Sequence, residues 1–233
     1  MNNMFLLDIF FPRRCLGCGR IGRYFCNNCL KSIKMIGINE EICPVCEKQS
    51  IDGRTHPRCR GKYTIDGLTG FFRYDGIVRK AVKTIKYRLV SDLIEEFAGL
   101  VPKTSYNLLR ENILIHNSVI IPVPLHNKRF RERGFNQAEL LAQQIGLRIN
   151  IPVRPDILSR VRYTAPQVSM KKRKDRLKNM DDVFAVNKLS IVISQSSIIL
   201  VDDVFTTGAT MRSAANVLKR AGAGFVWGVT MAR

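Results

Sequence analysis

The chain has 233 residues, 45% of them hydrophobic, and 38 Lys and Arg stand against 19 Asp and Glu for a formal charge of +19. That hydrophobic share excludes a disordered basic tail, and the length suits one large domain or a core domain with a small appendage. No apolar run approaches the ~20 residues that cross a bilayer.

The first segment, Met4 to Phe11, is apolar, but Asp8 interrupts it and no positive residue precedes it. No secretory leader is therefore expected, and the expected location is cytoplasmic. All seven cysteines follow within residues 15–59. Six form the pairs Cys15-Leu-Gly-Cys18, Cys26-Asn-Asn-Cys29 and Cys43-Pro-Val-Cys46, and the seventh ends His56-Pro-Arg-Cys59 with the same gap. A turn with two intervening residues brings both ligands onto one ion, so eight such ligands make two tetrahedral Zn²⁺ sites. Disulfides are disfavoured in a cytoplasmic chain. Spacing leaves the pairing open: chain order (Cys15, Cys18, Cys26, Cys29, then Cys43, Cys46, His56, Cys59) or interleaved. Four protein ligands per ion close the coordination shell, so the expected role is structural. Residues 1–62 read as a zinc-ribbon-like domain too small to build its own core.

From Arg60 to Gly67 the chain reads as a linker. Leu68 to Tyr74 reads as a strand. Ile77, Val78, Ala81, Val82 and Ile85 recur at helical spacing, and a second helix is expected from Ser91. Val119 to Val123 is a compact apolar strand closed by Pro122 and Pro124, and a helix is expected over Asn136 to Leu147. Between them lies a basic loop with Lys128, Arg129, Arg131, Arg133 and Gly134. Residues 164–180 read as a second basic loop, and the basic, aperiodic stretch from Arg160 to Asn179 suits a lid over an anion. Ser197 to Val201 reads as a buried strand, Thr210 to Ala221 as a helix, and Phe225 to Met231 as a last strand. Strands and helices alternating at this spacing predict an α/β fold over residues 63–233, a mostly parallel sheet flanked by helices.

The charge is concentrated where these loops fall. Residues 121–180 carry +10, against +5 in residues 1–70, +3 in 71–120 and +1 in 181–233. Clustered Arg and Lys serve polyanions, either phosphates or nucleic acid. Ile198 to Thr210 carries the most specific signal: four apolar residues, Asp202 and Asp203, then a Thr/Gly turn opening a helix. A parallel strand of this kind delivers the carboxylates at its C-terminal end, the ligand side of such sheets. The turn Thr206, Thr207, Gly208, Ala209, Thr210 presents backbone N–H groups at a helix start, where a phosphate is favoured. Acids beside that cradle suit sugar hydroxyls or Mg²⁺.

This stretch closely resembles the thirteen-residue motif of type I phosphoribosyltransferases that binds phosphoribosyl pyrophosphate (PRPP). With the cysteine knuckles, Phe72 to Gly76, Ile85 to Tyr87, Pro122-Val-Pro124, Arg133-Gly-Phe-Asn-Gln137 and Thr164-Ala-Pro-Gln167, nearly the whole chain resembles the ComF family of late competence proteins. His56 stands where that family has cysteine. The resemblance implies a type I phosphoribosyltransferase-like domain that binds PRPP and Mg²⁺. Asp202 and Asp203 would lie on the ribose, Thr206 to Thr210 on the 5′-phosphate, and Arg131 to Gly134 on pyrophosphate. It also implies a role in natural transformation, with single-stranded DNA and other competence proteins, such as a ComF-operon helicase, as partners. The alternative is an active phosphoribosyltransferase on an unidentified small-molecule acceptor. Only one strand follows the motif's helix, so no nucleobase hood is expected, and no catalytic residue is assigned.

Overall fold

The computed structural model describes residues 12–87, 91–113, 118–163, 183–187 and 197–233. The expected basic loop over 164–180, with the Thr164 to Gln167 motif, lies outside the described residues.

Four strands form one sheet, β1 (Gly67–Phe72), β2 (Ser118–Pro122), β5 (Ser197–Val204) and β6 (Phe225–Ala232), in the order β1-β6-β5-β2. Every pairing in it is parallel, with Pro122 opposite Val201 and Asp202 opposite Thr230. The runs Val119-Ile120-Ile121 and Ile198 to Val201 are buried throughout. That is expected of a parallel sheet covered on both faces. Because successive side chains point to opposite faces, Ile199 and Val201 join one core cluster while Ile198 and Leu200 join another.

The first cluster is closed by helices α1 (Gly76–Tyr87), α2 (Ser91–Gly99), α3 (Lys103–Asn112) and α5 (Gln137–Ile149). Helix α1 buries Val78, Ala81, Val82 and Ile85, the stripe that its sequence spacing predicts. The second cluster is closed by α6 (Ala209–Arg220), which buries Met211, Ala214, Ala215 and Leu218. Where β1 pairs with β6, only glycine fits at position 67, because a Cβ there would overlap the ring of its partner Trp227.

Four elements differ from expectation. The basic segment after β2 is a short helix, α4 (Asn127–Arg133), rather than a loop. Its Lys, Arg and Glu are good helix formers, His126 Nδ1 accepts from the Lys128 N–H at 3.2 Å, and Gly134 ends it with φ +76°. Helix α3 and an antiparallel pair, β3 (Leu158–Arg160) with β4 (Phe184–Val186), are additional. Helix α3 buries Tyr106 and Leu109 against the first cluster.

The cysteine-rich segment leans on this frame and lends to its core. Phe25 is buried and stacks on Phe97 of α2, ring centres 5.8 Å apart. The Glu96 carboxylate accepts from the Tyr24 and Phe25 N–H groups at 3.3 and 3.0 Å, and Arg13 pairs with Asp92 at 2.7 Å. Farther along, the Thr55 N–H donates to the Asp66 carbonyl at 2.8 Å, and its hydroxyl to the Ile65 carbonyl at 2.5 Å. Two zinc knuckles alone enclose too little apolar surface for an independent core, and Phe25 borrows one.

Candidate functional site

The eight expected metal ligands gather as two clusters in chain order: Cys15, Cys18, Cys26 and Cys29, then Cys43, Cys46, His56 and Cys59. In each cluster the ligand atoms all lie within 4.8 Å of one another. Both knuckles use backbone N–H groups to support sulfur, with Cys26 donating to Cys15 Sγ and His56 to Cys43 Sγ at 3.5 Å. Burial raises the Cys15 thiol, but the N–H groups of Cys26, Cys18 and Gly17 outweigh it and bring the pKa down to about 6. Cys29 is pushed the other way, to about 12, first by its hydrogen bond with Cys26. Thiols packed this closely cannot all ionise without a cation among them, and a soft dication suits sulfur donors.

The geometry also assigns the role of His56. Its Nε2 lies 3.0 Å from the Gln49 carbonyl, and its Nδ1 lies 3.3 Å from Cys46 Sγ. A carbonyl only accepts, so Nε2 carries the proton and Nδ1 keeps its lone pair for the cluster. A second nitrogen held by a carbonyl is the usual support of a metal-binding histidine. The donor sets therefore fit Zn²⁺, with the histidine substituting for sulfur in the second.

The second candidate site lies at the C-terminal ends of β2 and β5. Asp202 and Asp203 are among the last residues of β5, with Asp203 buried and Asp202 half-buried. The Asp202 carboxylate accepts from the Asp203 N–H at 2.8 Å. Burial first, then the adjacent Asp203 charge, push the Asp202 pKa up to about 7. After Phe205 the chain turns through Gly208, which has φ +66°, and enters α6. A Cβ at Gly208 would overlap the Phe205 ring and stand 2.7 Å from Arg212 Nη1, so the turn requires glycine. Within it, the Thr207 hydroxyl is buried without a hydrogen-bond partner. A buried orphan hydroxyl is costly, and at the start of a helix it suits an anionic oxygen.

Cations ring the two acids. Lys86, near the end of α1, reaches Asp203 at 3.0 Å. Burial would lower its pKa, but the charges of Asp203 and Asp202 hold it above the ordinary lysine value. Burial and the Arg129 charge pull Arg160 down to about 10, and Asp202 opposes them. Arg133 feels burial, Arg129 and Asp203 in the same manner, and it donates to Gln137 Oε1 at 2.9 Å. Buried Asp203, half-buried Asp202 and the half-buried cations Lys86, Arg133 and Arg160 thus share one end of the sheet.

The structure brings together Asp202, Asp203, Thr207, Gly208 and Arg133 of the expected site. Thr206 is exposed, Ala209 is buried in the core and so offers only its backbone, and Thr210 lies in the first turn of α6. Arg131 and Gly134 are exposed on and just after α4. Sequence reasoning missed Lys86 as a site residue and placed Arg160 only at the start of the expected lid. Lys86 stood inside the quoted Ile85-Lys86-Tyr87 motif; its place on α1 one turn after buried Val82 was the available signal.

Comparison with known proteins adds two family matches. Residues 6–60 match a double zinc ribbon domain, and residues 97–230 match a phosphoribosyl transferase domain. The chain is similar to Competence protein F of Haemophilus influenzae, 37% identical over 115 residues, which are 48% of this chain and 50% of that protein. It is also similar to Competence protein ComFC of Bacillus subtilis, 29% identical over 206 residues, 84% of this chain and 78% of the relative. A third similar protein is DNA utilization protein YhgH of Salmonella typhimurium, 28% identical over 209 residues and 86% of either chain. Among the described residues, no helix is long and apolar enough to cross a membrane.

Proposed function

Since the chain belongs to the phosphoribosyl transferase domain family, we propose that it binds PRPP with Mg²⁺ and single-stranded DNA, and acts in DNA uptake during competence. The observation that carries the PRPP reading is the end of β5, where two acids lead into a left-handed glycine turn that buries an unpartnered Thr207 hydroxyl. Asp202 and Asp203 would accept from the ribose hydroxyls, and the N–H groups from Thr206 to Thr210 would hold the 5′-phosphate. Arg133, beside this end of the sheet, would meet the pyrophosphate, and Arg131 would extend the contact from α4. When bound, Mg²⁺ would neutralise pyrophosphate charge next to the two acids. The names of the three relatives support the role in competence and DNA use.

The nucleic-acid reading rests on an aromatic platform beside the site. Tyr163 is 41% exposed, with Lys128 Nζ and Arg129 Cζ at 4.9 and 5.8 Å from its ring centre. Phe130, on α4, is 47% exposed. Rings flanked by cations suit a single strand, which offers stacking faces and phosphates together. Calorimetric titration of PRPP with Mg²⁺ into the wild type and into the Asp202→Ala, Asp203→Ala pair tests the site. Binding to the wild type and none to the pair is expected; equal affinity refutes it. Titration with a labelled single strand at rising salt tests the rest, with affinity expected to fall steeply as counterions are released.

A further inference from the structure

Arg212 lies in the first turns of α6 and touches both candidate sites. Its Nη2 donates to the Thr207 carbonyl at 2.6 Å, and its Nη1 donates to the Pro44 carbonyl at 2.7 Å. Pro44 sits between two ligands of the second cluster, Cys43 and Cys46. Glu47, the residue after Cys46, stands 4.0 Å from the same Nη1. Apolar packing reinforces the contact, because Ile42 and Val45 press on the cluster that holds Phe205, Ala209 and Met211. One guanidinium therefore bridges a carbonyl of the zinc knuckle and a carbonyl of the phosphate-type turn. A rigid fork of donors makes such a bridge with little loss of freedom.

The bond to Thr207 has a directional consequence. The described peptides are all trans, and in a planar trans peptide the C=O and the following N–H point in opposite directions. By holding the Thr207 carbonyl toward the knuckle, Arg212 turns the Gly208 N–H the other way, toward the face away from the zinc ribbon. The turn is otherwise free to rotate at this peptide, since glycine on its C-terminal side tolerates both halves of φ space.

We propose that Arg212 is a positioning residue that couples metal loading of the second cluster to the set of the turn at Thr207 and Gly208. A knuckle closed on its metal presents the Pro44 carbonyl at a fixed place, and the guanidinium transmits that place to the turn. An open knuckle releases one end of the bridge. The part of this proposal that concerns ligand affinity rests on the PRPP reading; the coupling itself does not. By linkage, whatever the metal does for the turn, a ligand on the turn does for the metal.

The test uses the full zinc-loaded chain and two variants, Arg212→Met, which keeps the stem but loses every donor, and Arg212→Lys, which keeps the charge but not the fork. Hydrogen exchange is followed over residues 205–211, with the β6 amides as a reference for global folding. Zinc release to a colorimetric chelator is followed with and without PRPP and Mg²⁺. Faster exchange over 205–211 is expected in both variants while β6 stays protected. One of the two zinc-release phases is expected to speed up about 10-fold, and the other to stay unchanged. PRPP is expected to slow that same phase in the wild type and not in Arg212→Met. Should Arg212→Met fail to fold, Arg212→Lys decides the matter alone. Unchanged exchange over 205–211, or zinc release indifferent to Arg212, overturns the coupling. If PRPP does not bind the wild type while exchange and zinc release still respond to Arg212, the functional reading falls and the coupling stands.

Discussion

Replacing Asp202 by Asn isolates the electrostatic cost built into the end of β5. In the folded chain desolvation of the half-buried Asp202 carboxyl, and then the adjacent Asp203 charge, push its pKa from an ordinary 3.8 up to about 7; Lys86 and Arg160 only partly offset this. Below about pH 4 the folded and unfolded chains both hold the proton, so Asp202 costs nothing. Between pH 4 and 7 the unfolded chain releases it and the folded chain does not, so stability falls as pH rises, and it levels off above 7. About three pKa units correspond to at most roughly 4 kcal/mol. Asparagine keeps the acceptor oxygen for the Asp203 N–H and carries no charge. The variant is therefore expected to melt higher than the wild type at pH 8, by on the order of 10 °C for a chain of this size. The gap should close toward pH 4, while PRPP binding is lost. Thermal melts of both proteins from pH 4 to 8 measure it. A gap that does not change with pH would show that Asp202 is not held protonated by its surroundings.

Gly208→Ala forces an unfavourable φ and a clash with Phe205, and should destabilise the chain by about 1–3 kcal/mol, read by denaturant melts, with PRPP affinity reduced further. Lys86→Met leaves Asp203 buried without its cation and should cost about 3 kcal/mol; adding Asp203→Asn should recover most of it. A double-mutant cycle in which the losses simply add would contradict the pairing. Native mass spectrometry should find two zinc ions per chain, and one after His56→Ala, since the two clusters share no ligand. Loss of both ions, or of neither, would reassign the histidine.

The sequence made legible whatever is local. The apolar run Ile198 to Val201 followed by Asp202, Asp203 and Gly208 announces strand, acids and turn together, because each property belongs to consecutive residues. The stripe on α1 was equally plain. Less visible was anything set by residues far apart. Zinc-ligand pairing required the clusters themselves, and Arg212 meets Pro44 across 168 positions. Nothing in the composition of α6 marks that arginine out. The charge of the basic stretch after β2 suits a phosphate-binding loop, while the helix preference of its Lys, Arg and Glu decides its shape. The second cluster core, under α6, followed from alternation along β5 once the parallel register was known.

The docking of the zinc ribbon onto α2 and α6 sets an order of events during synthesis. Phe25 leaves the ribosome 71 residues ahead of the Glu96 carboxylate that receives its N–H, and Pro44 leaves 168 ahead of Arg212. At ~5–20 residues per second the second knuckle waits roughly 10–30 s for its partner. Through that interval the three thiols of the second knuckle, Cys43, Cys46 and Cys59, go without the contact to Arg212, and a bound metal would hold them together. A nascent chain starved of zinc would present those thiols and Phe25 to the cell before any surface exists to receive them.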